Sequence, residues 1–393
     1  MIRIAFPFIR KSLWAGGYNY LLNLFYVISL KKNKEFEPVL FYGTDVSKKE
    51  LREFFLIKNI KFVKSSLMNR SNFYFLLTES ILFGSNKKIN FLFKKNNIDV
   101  VFENANFFGK KIDLPVVAWI PDFQHRELPH VFSWISWWKR EIGFRLQFAS
   151  SRSIMLSSFD AKEKLSQYYK NSINSANIVR FAVQLREIPS KSYIEIVKKK
   201  YSLPENYFFM PNQFWKHKNH ELVLQSLLSL KKKNCNLVVV SSGNQVDPKN
   251  PDYFKNIYQK IKINKLESNF IMLGLIPYKH VLSLMISSKA VLNPSLYEGR
   301  STSVEESLAL KIPLILSNIK IHKEQAKGLA KFFNPKKHES LAKVLQEEWS
   351  KKNKKIFLYK NILNLNAKRV KIFSNDFSKM INNTLTFYNN RNK

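Results

Sequence analysis

Short, nearly unbroken apolar runs recur along this chain, each followed by a longer segment of helical periodicity. Ile2–Phe8, Pro38–Tyr42, Ile98–Phe102, Val116–Ile120, Ser153–Ser157 and Asn177–Phe181 are runs of this kind. A strand with one wet face alternates apolar and polar residues, whereas a strand covered on both faces has no need to. Such runs, separated by helical stretches, predict parallel strands joined by crossover helices. Helices are expected over 18–30, 72–94, 133–148 and 161–169. The rhythm breaks over the polar, Lys-rich stretch from Val183 to Pro204, which reads as an interdomain connection, and then restarts. Strands follow at Tyr207–Met210, Leu237–Ser241, Phe270–Leu273, Ala290–Asn293 and Pro313–Leu316, with helices between them and a last helical stretch from His338 onward. With 393 residues the chain exceeds one ordinary core. The expected class is α/β: two doubly wound, Rossmann-like domains over 1–185 and 200–372, facing a cleft. Ligands of such sheets sit beyond the carboxyl ends of the strands.

The charge balance is uneven, with Lys+Arg 65 against Asp+Glu 29 and a net charge of +36. This suits a polyanionic neighbour: nucleic acid, anionic lipid or a phosphorylated substrate. It is equally the mark of a Lys-rich composition. The lysines are scattered in short runs such as Lys198–Lys200 and Lys231–Lys233, which favours a basic folded surface over a disordered arm. No helix-turn-helix, zinc-finger, RRM or KH signature accompanies them, so nucleic acid is not the expected partner. The single cysteine, Cys235, excludes an internal disulfide framework and fits a reducing compartment. No apolar run approaches the roughly 20 residues that span a bilayer. The opening residues Met1–Phe6 read as a strand rather than a signal peptide, and a cytoplasmic location is expected. The seven histidines show no metal-binding spacing, so no metal is expected.

The segment from Asn293 to Leu310 carries the densest chemistry. Glu298 ends a strand-to-helix turn, and Glu306 follows slightly over two helical turns later. Between them Gly299, Arg300, Ser301, Thr302 and Ser303 are small or polar and open a helix. A helix start offers unpaired N–H groups and a positive dipole end to a phosphate, and flanking carboxylates accept hydrogen bonds from sugar hydroxyls. The same residues equally suit a Ser/Thr-capped helix with Glu at its start.

The stretch Pro294-Ser295-Leu296-Tyr297-Glu298-Gly299 through Glu306 resembles glycosyltransferase family 4, the retaining GT-B enzymes, and the resemblance covers most of 200–340. It implies a GT-B fold and a nucleotide-sugar co-substrate, UDP- or GDP-linked, with no other cofactor. It also implies transfer to a glycan or polyprenyl-phosphate-linked acceptor in surface polysaccharide or lipopolysaccharide synthesis, and a tail at about 373–393 packed on the first domain. Glu298 would hold donor hydroxyls and Glu306 the ribose. Lys218, followed by Asn219, matches the family's diphosphate lysine, but Gln213 stands where the family has Arg. Lys216 or Arg300 is then expected to supply the second cation. Leu275 and Ile276 occupy what looks like the base-reading turn. Gly16 and Gly17 match a Gly-rich loop that closes on the donor phosphates and acceptor. His125 matches a histidine near the reacting sugar, with Asp122 and Arg126 beside it on the acceptor side.

The segment Phe132–Phe148 sets three tryptophans beside Lys139, Arg140 and Arg145, which suits either an anionic membrane surface or a packing helix. Two further readings stay open: a basic nucleic-acid-binding protein, and a catalytically weak glycan-binding relative of GT-B enzymes.

Overall fold

Two parallel sheets account for the alternation in the sequence. The computed structural model describes all residues except 31–34, 105, 151, 352–358 and 392–393. The strands of the first sheet are β1 (Ile2–Pro7), β2 (Phe36–Tyr42), β3 (Lys61–Lys64), β4 (Val100–Glu103), β5 (Val116–Trp119), β6 (Ser153–Leu156) and β7 (Ala176–Ile178). They lie in the order β3-β2-β1-β4-β5-β6-β7. The second sheet contains β8 (Phe208–Met210), β9 (Val239–Ser241), β10 (Phe270–Met272), β11 (Val291–Asn293), β12 (Leu314–Ser317) and β13 (Ala330–Phe333), in the order β10-β9-β8-β11-β12-β13. Neighbouring strands pair in parallel throughout.

By internal contacts the chain divides into two units. One comprises Met1–Phe123, Ile135–Gln184 and Arg369–Lys393, and the other Gln124–Trp134 and Leu185–Lys368. The first unit holds helices α1 (Ala15–Ser29), α2 (Lys48–Phe55), α3 (Phe73–Leu82) and α4 (Lys87–Lys95). The short α5 (Gln124–Glu127) lies in the second unit; α6 (Trp134–Phe148), whose first residue is assigned there too, otherwise belongs to the first, as does α7 (Phe159–Tyr168).

Register fixes which helices cover which face of the first sheet. Val101 pairs with Val116, Glu103 with Ala118, and Ala118 with Ile154. Because side chains alternate across a strand, these residues share one face. On that face Leu76 of α3 and Ile89 and Phe93 of α4 pack with Val39, Phe41 and Val101. Phe144 of α6 packs with Ile154 and Leu156 on the same face. The opposite face carries Phe6 and Phe102. Phe25 of α1 meets Phe6 edge-on at 4.9 Å, and Phe377 lies 6.5 Å from Phe102. Phe377 belongs to the last helix of the chain, Tyr359–Arg391, whose Asp376 also pairs with Arg180 at 3.3 Å.

The second unit holds α8 (Lys191–Lys200), α9 (His220–Lys232), α10 (Tyr253–Ile263), α11 (Tyr278–Ser287), α12 (Thr302–Ala309), α13 (Lys320–Ala326) and α14 (His338–Ser350). Its core joins Leu222, Val223 and Leu227 of α9 to Val239, Leu292, Ile315 and Leu341.

Three expectations are corrected. The single helix over 72–94 is two helices: Gly84 has φ +75°, and the Asn86 side chain accepts the Ile89 N–H at 2.9 Å to start α4. The connection expected over 183–204 contains α8, capped by Ser190 and packed on α11, with the Tyr201 hydroxyl 2.7 Å from His280 Nδ1. Edge strands β3 and β13 and helix α2 were not expected.

Candidate active site

The strand order of the second sheet reverses at β8, which lies between β9 and β11. At such a point the loops leaving the carboxyl ends diverge and leave room for a ligand. The loop after β8 ends in a tight turn, Lys216–Lys218, closed by Asn219 in the left-handed region at φ 60°. Asparagine tolerates that conformation better than most residues. Its side-chain amide donates to the carbonyls of Pro294 at 3.2 Å and Pro335 at 3.0 Å. The Leu296 N–H donates to the His217 carbonyl at 2.8 Å. The β8 loop is thus stitched to the β11 loop before any charged contact is made.

That stitching places Lys218 Nζ 2.5 Å from Glu298 Oε1, with side chains only 13% and 10% exposed. The Ser295 hydroxyl donates to the same carboxylate at 2.7 Å. Burial, the largest single influence, pushes the Glu298 carboxyl up, but the Lys218 charge and hydrogen bond, together with His217 and His322, outweigh it and hold it down at about 2. Glu298 is therefore an anion at neutral pH. Lys218 has three donors, of which this bond uses one.

Glu306 sits in the second turn of α12, also buried. Burial pushes its carboxyl up to about 7, against a hydrogen bond from Tyr278 that pulls the other way. One carboxyl is fixed as an anion; the other exchanges its proton near neutrality, so it can both donate and accept.

The start of α12 is held by side chains from α13. Gln325 accepts the Ser301 N–H at 3.0 Å and donates to Glu305 at 2.9 Å. The Arg300 guanidinium lies 2.7 Å from Glu305 and 3.9 Å from Glu324. Arg300 therefore braces the turn through these carboxylates. Ser301 makes no side-chain cap; its hydroxyl accepts from Asn293 at 2.9 Å. Thr302 is exposed and Ser303 buried. Gln213 is engaged too, its side-chain oxygen accepting the Asn244 N–H at 3.1 Å. Lys216 is exposed, and its backbone N–H donates to Asp247. Leu275 and Ile276 follow Gly274, which has φ +64° and whose carbonyl accepts the Gly243 N–H at 2.9 Å. Leu275 is exposed there.

In the first unit, Gly16 and Gly17 lie in the first turn of α1, the helix their segment was expected to open. A Cβ on Gly17 would come within 2.4 Å of the Trp14 ring, so Gly17 makes room for that indole. Trp14 in turn stacks on Trp119 at 5.0 Å. Asp122 is paired with Arg140 at 2.6 Å. His125 and Arg126 lie on α5 in the segment that goes with the second unit, and the His125 ring is fully buried near Phe132.

Four residues of the second-unit constellation were not singled out in the sequence: Asn219 as a clasp, Tyr278, Gln325 and His322. His322, on α13, is fully buried, with Nδ1 3.0 Å from the Ser317 hydroxyl and no partner for Nε2 among the described residues. Burial pushes it down to about 4, so it is neutral at pH 7. Its signal was its place just beyond β12, at the carboxyl edge where ligands gather. Among the described residues no group of three or more His, Cys, Asp or Glu is arranged to hold a metal.

These two doubly wound sheets define a GT-B glycosyltransferase fold, and solved structures agree along nearly the whole chain. A glycosyltransferase from Rickettsia africae superposes with a TM-score of 0.67 at 17% identity, over 98% of this chain and 97% of that one. HepE from Anabaena, in complex with UDP-glucose, gives 0.70 at 13% identity, over 98% and 100%. WaaG, a glycosyltransferase involved in lipopolysaccharide biosynthesis, gives 0.62 at 11% identity, over 95% of each chain. Residues 194–362 match the family described as glycosyl transferases group 1. No curated protein matches the sequence.

Proposed function

We propose that the chain moves a sugar from a nucleotide diphosphate sugar, UDP- or GDP-linked, to a glycan or polyprenyl-phosphate-linked acceptor, with retention and without a metal. The observation that carries this is the Lys218–Glu298 pair, clasped between the β8 and β11 loops at the switch point of the sheet. Lys218 keeps donors for the diphosphate, and positive charge fixed where the leaving group develops its negative charge lowers the barrier. Glu298 accepts from donor hydroxyls, and Glu306 holds the ribose. Leu275 and Ile276 face the base. Lys216, exposed in the same turn as Lys218, is the second diphosphate cation, since Arg300 is tied to Glu305. His125, Asp122 and Arg126 serve the acceptor side. In the reaction the bond from the sugar C1 to the diphosphate oxygen breaks, a bond from C1 to the acceptor oxygen forms, and the acceptor's proton leaves with the diphosphate.

HepE's complex with UDP-glucose and WaaG's part in lipopolysaccharide biosynthesis support a UDP-linked donor and a role in surface polysaccharide synthesis at the cytoplasmic face of an anionic membrane. The test is a thermal-shift screen with UDP, GDP, ADP and their sugars, followed by sugar release from the donor that binds. A ligand selective for the folded state raises apparent stability. Absence of a shift with every nucleotide sinks the reading.

A further inference from the structure

Helix α3 is built the wrong way round for a helix facing water. Successive residues advance by about 100° around a helix, so Tyr74, Phe75, Thr78, Ile81 and Leu82 fall on one side, and this is the exposed side. Tyr74 is 68% and Leu82 76% exposed, and Phe83, just past the helix end, is 71% exposed. The only charged residue of α3, Glu79, is off that side and bonded to Asn86. A surface helix normally turns its polar residues outward, and a contiguous exposed apolar patch marks an interaction site.

The patch does not stand alone. Helices α3, α4 and α6 cover the same face of the first sheet. In the outer layer they form, α6 likewise turns Ile135, Trp138 and Ile142 outward. Basic residues, the basic rim, accompany these apolar residues on the same helices and their turns. Lys87 and Lys88 begin α4, Lys94 and Lys95 end it, and all four are exposed. Lys111 lies against Gly84 at the α3–α4 turn, and Lys139 and Arg145 are exposed on α6. Two acidic groups meet this rim: Asp113, salt-bridged to Lys94, and the buried Glu141, salt-bridged to Arg145.

We infer that the outer layer formed by α3, α4 and α6 is the surface by which the protein docks on an anionic bilayer, with the aromatic and aliphatic side chains in the interface and the lysines on the headgroups. This rests on the reading of a lipid-linked acceptor at a membrane, and adds which face of the first unit meets it. Apolar residues accompanied by lysines suit the boundary between acyl chains and negative headgroups. A second copy of this chain fits less well, because each copy carries +36 and would bring a matching basic rim against its own. No helix of the described residues is long and apolar enough to cross a membrane, so the contact is peripheral for these helices.

The test is co-sedimentation of the full chain with phosphatidylcholine vesicles, with and without about one-third phosphatidylglycerol, at low and high salt. The protein is expected to bind the anionic vesicles and to come off as salt rises. A Tyr74→Ser, Phe75→Ser, Leu82→Ser variant should lose binding by about tenfold or more. A Lys87→Glu, Lys88→Glu variant, which alters only exposed side chains, should lose it too, while Ile263→Ser on α10 should not. Wild-type protein left in the supernatant with anionic vesicles, or binding unchanged in both patch variants, overturns the inference. So does a wild-type dimer in gel filtration that the serine variant dissociates. Nucleotide binding measured on the same samples separates the two readings: vesicle binding lost with nucleotide binding intact leaves the transferase reading standing.

Discussion

Removing Lys218 alone should cost about as much as removing Lys218 and Glu298 together. The pair is 2.5 Å apart and about nine-tenths buried on each side. Glu298 is held at about 2 instead of 4.5, which corresponds to roughly 3 kcal/mol of preference for the ionised form in the folded state. Lys218→Met leaves that carboxylate buried without its cation and should lose about 3 kcal/mol at pH 7, within the range for breaking a buried pair. Glu298→Gln should lose less, about 2 kcal/mol, because a lysine stem can carry its charge toward water. The double variant should lose clearly less than the sum, a coupling of about 2 kcal/mol. Because the pair's carboxyl is depressed, its contribution is complete above about 4.5 and disappears as pH falls through about 2; the acid limb of wild-type stability should therefore flatten in Lys218→Met. Hydrogen exchange at the Leu296 amide, bonded to His217 across the same two loops, reads the local stability directly. Additive losses, or single-variant losses below about 1 kcal/mol, would refute a coupled buried pair.

Glu306 should show the opposite pH behaviour. Its carboxyl is raised from 4.5 to about 7, so the folded state holds a proton that the unfolded state gives up, and stability should fall by about 3 kcal/mol between those values and level off above. Glu306→Gln should remove that decline from melting curves recorded between about pH 5 and 8; parallel curves would count against it. Lys216→Ala should slow transfer by about tenfold with no change in melting temperature, whereas Arg300→Met should lower the melting temperature. Wild-type turnover in Lys216→Ala would mean that the second cation lies elsewhere. Glu306→Ala should weaken nucleotide binding in calorimetry while Glu298→Ala mainly lowers turnover, and equal loss of affinity in both would reject that division. Gly17→Ala, normally a gain of roughly 1 kcal/mol inside a helix, should instead lose about 1–3 kcal/mol by pushing on Trp14, as urea unfolding can show.

What the sequence disclosed of the fold follows from burial. The interior strands β1, β4, β5, β6, β8 and β11 are buried along nearly their whole length, so their apolar runs stand out. The two unexpected strands, β3 and β13, are both edges. Lys61-Phe62-Val63-Lys64 and Ala330-Lys331-Phe332-Phe333 each have one neighbour only, and their exposed residues break the apolar run. The division of 72–94 was carried by Gly84 and Asn86, a left-handed residue and a cap, which helical periodicity does not register. The Lys-rich α8 looked like a linker because its lysines point outward. Ile194 and Val197, three apart and buried, were its quiet signal.

The site shows the same division between residue type and surroundings. Spacing alone brought out Glu298 and Glu306 and left them equivalent, since both are glutamates at the margins of one turn. Their difference arises from residues distant in sequence. Lys218 arrives because Asn219 and His217 tie the β8 loop to the β11 loop, and its charge keeps Glu298 ionised. Glu306 has no cation beside it among the described residues: burial raises its carboxyl to about 7 despite a hydrogen bond from Tyr278 of α11 that pulls the other way. Arg300 is likewise indistinguishable in sequence from a ligand-binding arginine until Glu305 and Glu324 are seen around it. In the transfer reaction proposed above this asymmetry would have a use. A permanently charged Glu298 would restrain Lys218 until a diphosphate competed for its remaining donors, while a Glu306 that both donates and accepts would suit a pair of ribose hydroxyls. Exchanging the two environments, rather than the two residues, is what would abolish the division of roles.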